Sequence, residues 1–363
     1  MPGPSSTPRL RVGIVGCGEV TQIVHLPTLA QLVDLFEVTA LCDVSPHVLR
    51  VVGDAWGVAE RTTDAEVLVG LAQVDAVLIA NPNAFHADTT LAALAHGKHV
   101  LVEKPMAMTL AEADAVIAAA EGSGRVVQVG TMRRYAPAFV EAVRRLPDLG
   151  PVRLARVHDV IGQNALIIGQ IANVVRGTDV PEAVLAAGRA ADERRVVEAL
   201  GADPPPPVRR AYGLLLGLSS HDTSAMRELL GRPRGVLYAA AHHGGEYLTA
   251  AFDYGDFVCH FETGVDAVPR FDAHLEVFTA EAVLRVQYDT PYVRHLPTRL
   301  TVRRAVGEAG VADEQTLPTW ADPFVEEWRA FAANVRAGRP ATSSPADFRE
   351  DLEHYGALVD LLR

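Results

Sequence analysis

From residue 10 to about residue 130, short apolar runs alternate with helix-length stretches in which Ala, Leu, Glu and Arg recur at helical spacing. The apolar runs fall at 10–15, 36–42, 74–80, 98–102 and 125–130. They are rich in Val, Ile and Leu and lack polar alternation, which suits strands covered on both faces. The stretches 19–33, 46–56, 85–96, 109–121 and 136–146 predict helices. Strand–helix alternation of this kind feeds a doubly wound parallel sheet. After Leu149-Gly150-Pro151 the rhythm changes and a period-2 stretch, 152–160, begins, so a domain boundary is expected there.

Six further runs, 236–242, 247–253, 256–263, 271–279, 282–288 and 298–304, read as antiparallel strands, with a turn at Tyr254-Gly255-Asp256. The expectation is therefore an α/β domain over 10–149, followed by an α+β domain over 150–340 built on a large, mostly antiparallel sheet. Helices are predicted at 322–337 and 345–362, the latter closing the chain and packing back on the first domain. The 162–210 segment breaks the pattern. It holds an apolar run (NALIIGQIANVV), a helix near 181–200, and four consecutive prolines after Asp203 that predict a stiff extended connector.

The chain has 363 residues, enough for two domains at roughly 150 residues each. Its 33 Lys+Arg against 45 Asp+Glu give a net charge of −12, which repels polyanions and argues against a nucleic-acid partner. No apolar run approaches the roughly 20 residues needed to cross a bilayer. The start, MPGPSSTPRL, is polar with no apolar h-region, so residues 1–9 read as a frayed tail and a cytoplasmic location is expected. Cys17, Cys42 and Cys259 are too few and too far apart for a disulfide framework or a zinc site, and no metal is expected.

The first apolar run ends in GCGEVT, which places Gly16, Gly18 and Thr21 in the G-x-G-x-x-G frame, with Glu19 and Val20 opening the following helix. Such a Rossmann loop lets backbone approach a pyrophosphate. The second run ends in Leu41-Cys42-Asp43, and Asp43 lies 22 residues after Thr21, near the spacing of a ribose-binding carboxylate. A carboxylate there accepts from ribose hydroxyls and repels a 2′-phosphate, so NAD is favoured over NADP. The alternative is that the glycines serve a turn and Asp43 caps a helix. Cys17 reads as a small packing residue, with no cationic neighbour to activate its thiol.

The run ANPNAFHADTTLAALAHGKHVLVEKPMAMTLAEADAV, with Glu103-Lys104-Pro105 at its heart, resembles the core signature of the glucose-fructose oxidoreductase/inositol dehydrogenase/MocA family. His25-Leu26-Pro27, QVGTMRRYAPAF at 128–139 and LEVFTAEAVLRV at 275–286 extend the resemblance over nearly the whole chain except 162–210. It implies a Rossmann domain followed by a sheet domain, and hydride transfer between NAD(P) and a sugar, cyclitol or related carbinol. By position it implies that Asn81, Pro82, Asn83 and His86 lie along the cofactor, Glu103 near the nicotinamide, Lys104 at the reacting carbinol, and Arg133 beside cofactor or substrate. Without the resemblance Lys104 would read as a solvated strand-end lysine.

The family's D-x-G-x-H-x-x-D stretch corresponds to GLSSHDTS, with His221 in the histidine position and suited to proton exchange near neutrality. Gly217, Ser219 and Ser224 replace the other three motif residues. Asp159 and Asn164 are candidates for the polar group missing at 217; Asp222 adjoins His221 but points about 100° away around a helix and cannot simply replace it, and all three are expected to border the substrate with Lys104 and His221. The reading is an NAD-dependent oxidoreductase acting on a secondary hydroxyl of a sugar, glycoside or cyclitol, with 162–210 walling a larger substrate or serving as an oligomer contact. The alternatives are an NADP-linked keto-sugar or imine reductase and a non-catalytic nucleotide-binding sensor. The resemblance also implies a homodimer or homotetramer.

Overall fold

A computed structural model describes residues 8–363, so most of the tail expected over 1–9 lies outside the described residues. Contacts divide the chain into two compact units. Unit 1 takes residues up to Gly130, Ala172–Gly201 and Glu327–Glu350, and unit 2 takes Thr131–Ile171, Ala202–Glu326 and Asp351–Arg363.

Unit 1 is built on a six-stranded sheet of β1 (Leu10–Val15), β2 (Phe36–Cys42), β3 (Glu60–Thr62), β4 (Ala76–Ile79), β5 (His99–Glu103) and β6 (Val127–Gly130), in the order β3-β2-β1-β4-β5-β6. The pairings are parallel. Val12, Ile14, Leu41, Leu78, Leu101 and Val102 are buried, as the unbroken apolar runs require. The strand order reverses between β1 and β4, and that switch point is where a doubly wound sheet opens a crevice at its carboxyl edge. Gly16, Asp43, Asn81 and Glu103 stand at the ends of β1, β2, β4 and β5 around it. β3 and the helix Ala65–Val69 fall where no element was expected, because runs of three and five residues are too short to show a period.

Unit 2 carries an eight-stranded sheet of β7 (Val152–Gly162), β8 (Gly235–His242), β9 (Tyr247–Asp253), β10 (Val258–Asp266), β11 (Phe271–Thr279), β12 (Ala282–Tyr288), β13 (Arg299–Val306) and β14 (Gly310–Thr316). Its order is β14-β13-β12-β11-β7-β10-β9-β8. β7 runs parallel to β10 and the other pairings are antiparallel, so the sheet is mostly antiparallel as expected.

The units depart from the expected boundary at 150. The helix Pro137–Arg145 packs against β12 and β13 of unit 2, burying Ala138, Phe139 and Ala142 on its one apolar face. The prolines after Asp203 are not all extended connector. Pro206 and Pro207 open the helix Pro206–Leu214, with Pro205 at its N-cap, because the missing N–H of a proline costs nothing in a first turn.

Candidate functional site

In unit 1 the glycine loop is held closed from within. Gly16 has φ 95°, and a Cβ there would lie 2.3 Å from the Ala80 carbonyl oxygen, so only glycine fits against the end of β4. A Cβ at Gly18 would meet nothing within 4 Å, which leaves the loop backbone open to a ligand. Thr21, standing where the third glycine was expected, donates its hydroxyl to the Gly16 carbonyl at 2.6 Å and ties the helix start to the loop.

Asp43 accepts from the Cys17 N–H at 2.9 Å and the Ser45 N–H at 2.9 Å. These two bonds fix its carboxylate between the glycine loop and the helix Pro46–Trp56, leaving further lone pairs for a ribose. Ser45 caps that helix by accepting from the Val48 N–H at 3.1 Å. Cys17 is buried, and burial pushes its thiol well above the usual range, in keeping with a packing role. These residues fit a dinucleotide.

At the end of β5, Glu103 is buried and accepts from Nε2 of His25 at 2.8 Å. The Trp328 indole N–H donates to Nδ1 of the same ring at 3.1 Å. An indole can only donate, so the neutral imidazole carries its hydrogen on Nε2 and points it at Glu103. Burial works to raise the Glu103 carboxyl, but the His25 hydrogen bond and nearby positive charge hold it below the usual range. The backbone N–H of Lys104 donates to the other Glu103 oxygen at 3.2 Å, and the Lys104–Pro105 peptide is cis. His86 is buried, with Nδ1 2.8 Å from the Pro105 carbonyl and Nε2 2.6 Å from the Asn81 carbonyl. It staples the loop after β4 to the loop after β5, a positioning part within unit 1, while Pro82 and Asn83 are exposed.

In unit 2 three of the predicted residues meet. Arg133 is buried, donates to Asp222, and lies 2.9 Å from Asp159, with its guanidinium 5.0 Å from the Tyr288 ring centroid. Burial pushes the Asp222 carboxyl well above its ordinary range and the like charge of Asp159 adds to this, although Arg133 opposes it. One cation thus faces two carboxyl groups. Asn164 stands apart from them and donates to the Tyr292 hydroxyl at 3.4 Å. His221 lies beside Asp222 on the helix Ser220–Leu230, and a Cβ at Gly217 would meet nothing within 4 Å.

Of the 162–210 segment, expected to wall a larger substrate or serve as an oligomer contact, Ala172–Gly201 belongs to unit 1 and the remainder to unit 2. Asp179 accepts from the Ser45 hydroxyl and from the His47 N–H at 2.8 Å, and Arg176 pairs with Glu19 at 2.7 Å. No local pattern flags Asp179 or Trp328, since each acts on a residue more than a hundred positions away. The motif His25-Leu26-Pro27 did flag His25.

Residues 10–131 match the family described as "Oxidoreductase family, NAD-binding Rossmann fold". The chain is 37% identical over 145 residues to inositol 2-dehydrogenase of Salmonella typhimurium, covering 39% of this chain and 43% of that enzyme. It therefore spans less than half the length of such curated relatives. In fold it is similar to myo-inositol 2-dehydrogenase from Lactobacillus plantarum, with TM-score 0.71, 19% identity, and coverage of 98% of this chain and 97% of that one. It is likewise similar to a 3-ketoreductase from Actinomadura kijaniata solved with NADP and TDP-benzene, with TM-score 0.73, 20% identity, and the same coverage. No helix among the described residues is long and apolar enough to cross a membrane.

Proposed function

Because the chain belongs to the glucose-fructose oxidoreductase/inositol dehydrogenase/MocA family, we propose that it is an NAD-dependent oxidoreductase acting on a secondary hydroxyl of a sugar, glycoside or cyclitol. The observation that carries this reading is the Asp43 carboxylate, anchored by two backbone N–H groups beside an open glycine loop. An anionic acceptor in that place suits vicinal ribose hydroxyls and disfavours a 2′-phosphate. When bound, NAD supplies the hydride acceptor.

The protein's part is to bind, orient and move a proton. Gly16 and Gly18 admit the pyrophosphate to backbone, and Asn81, Pro82, Asn83, Glu19 and Val20 border the same crevice. Glu103, fixed by His25, sets the start of the loop that carries Lys104. The Lys104 ammonium positions the substrate hydroxyl and stabilises the oxyanion developing on it. His221 accepts the hydroxyl proton as the general base. Gly217 leaves open space before His221, which suits a substrate larger than a free cyclitol.

A screen of NADH formation across free sugars, cyclitols and glycosides tests the activity. With an accepted substrate, Lys104→Ala and His221→Ala should each lower kcat about 10²–10⁴-fold while NAD affinity stays within a few-fold. Full turnover in both variants would remove them from the reaction.

A further inference from the structure

The helix Pro46–Trp56 begins where the adenosine ribose of a bound dinucleotide is expected, immediately after Asp43. A helix start attracts anions because its first N–H groups lack intrahelical partners. Here those donors are taken. The Ser45 N–H donates to Asp43, the Ser45 hydroxyl to Asp179, the His47 N–H to Asp179, and the Val48 N–H to the Ser45 hydroxyl oxygen. Pro46 has no N–H to offer. Two carboxylates from distant parts of the sequence thus satisfy the donors that a phosphate would seek.

The stretch carrying Asp179 is fastened on both sides of this point. The Gln22 side chain accepts from the Val175 N–H at 2.9 Å and donates to the Val175 carbonyl at 2.8 Å. Arg176 pairs with Glu19 of the glycine loop. Gly177 then passes so close to Ser45 that a Cβ on it would lie 2.7 Å from the serine Cβ. Beyond it, Arg195 on the helix Glu182–Leu200 pairs with Glu112 and with Asp88 at 3.1 Å. The segment is therefore a fitted part of the nucleotide unit, secured on the glycine loop, on the loop after β2, and on two later helices.

We propose that Asp179 is a specificity-determining residue of the nucleotide site, admitting an adenosine ribose with a free 2′-hydroxyl and rejecting one that bears a 2′-phosphate. This rests on the NAD reading above and adds a second discriminating carboxylate that no glycine-loop motif encodes. A free 2′-hydroxyl needs one acceptor and brings no charge. A 2′-phosphate would have to displace Asp179 from Ser45 and His47 or face it together with Asp43, and an anion set against two carboxylates is a repulsive selection element.

The test is titration calorimetry on the full chain with NAD, NADP, 5′-AMP and adenosine 2′,5′-bisphosphate, for wild type, Asp179→Asn and Asp179→Ala. Asp179 is exposed, so neither variant opens the core. The asparagine keeps an acceptor for the His47 N–H, replaces the oxygen facing the Ser45 hydroxyl with an amide nitrogen that can donate to it, and removes the charge. Both variants should bind NADP and the bisphosphate about tenfold more tightly or better, a step of about 1.4 kcal/mol, with NAD and 5′-AMP moving by less than about twofold. The gain should shrink as salt rises. A wild type that prefers NAD, with a preference unmoved in both variants, overturns the role of Asp179 alone. A wild type that prefers NADP, or binds neither nucleotide, overturns the NAD reading and this proposal with it.

Discussion

Arg133 serves two carboxyl groups with one positive charge, and burial together with the like charge of Asp159 pushes the Asp222 carboxyl above its ordinary range while Arg133 opposes the shift. The sign of the pH dependence follows. The folded-state carboxyl of Asp222 is raised above its unfolded value, so between those two values the folded chain binds more protons than the unfolded one, and stability falls as pH rises. The effect begins at about pH 4, where an unfolded aspartate ionises. Asp222→Asn should flatten the decline of Tm with pH above that point while leaving Arg133 its charge partner in Asp159. A thermal-denaturation series in pH checks this. An unchanged slope in the variant would mean that Asp222 is ionised in the fold.

At the scale of elements, the helix Pro323–Ala337 reaches the nucleotide sheet through Trp328, which lies edge-on to Phe36 and His25 and fixes the imidazole that holds Glu103. Trp328→Phe keeps much of the ring packing and removes the N–H. The buried Nδ1 of His25 then lacks its donor, which should cost about 1–3 kcal/mol of stability. It should also lower kcat more than it weakens NAD binding, since the freed ring no longer commits its Nε2–H to Glu103. Denaturant titration and steady-state kinetics read the two effects, and a variant equal to wild type in both would show that the indole only fills space. The elements themselves were legible where one face or both faces are buried: β1, β2, β9, β11 and β12 lie where the apolar pattern put them. β14 was invisible because Gly310–Thr316 is an exposed edge strand whose sequence, GVADEQT, has no buried face to print a period. The proline run misled because Pro206 is as good a first-turn residue as it is a bad interior one.

For the molecule as a whole, the sequence announced the architecture and the chemical parts but not the chain's itinerary. The change of period near 150 marks a change of sheet, yet contacts draw 172–201 and 327–350 back to the parallel sheet and release the helix Pro137–Arg145 to the antiparallel one. Such returns depend on pairings like Asp179 with Ser45 and Trp328 with His25, which local pattern does not encode. The motif residues, by contrast, were readable one by one: Gly16 and Asp43 stand at the strand ends their spacing implied, and Glu103, singled out by the family resemblance, stands at the end of β5. The proposed function requires a hydride to pass from a substrate carbinol to NAD. The most direct measurement supplies the protein with NAD and accepted cyclitols or glycosides deuterated at the reacting carbon, and follows the label by NMR. Deuterium is expected at C4 of the reduced nicotinamide, with an equivalent amount of ketone product. NAD that binds yet acquires no label from any sugar, cyclitol or glycoside would contradict it and identify the chain as a nucleotide-binding protein without hydride transfer.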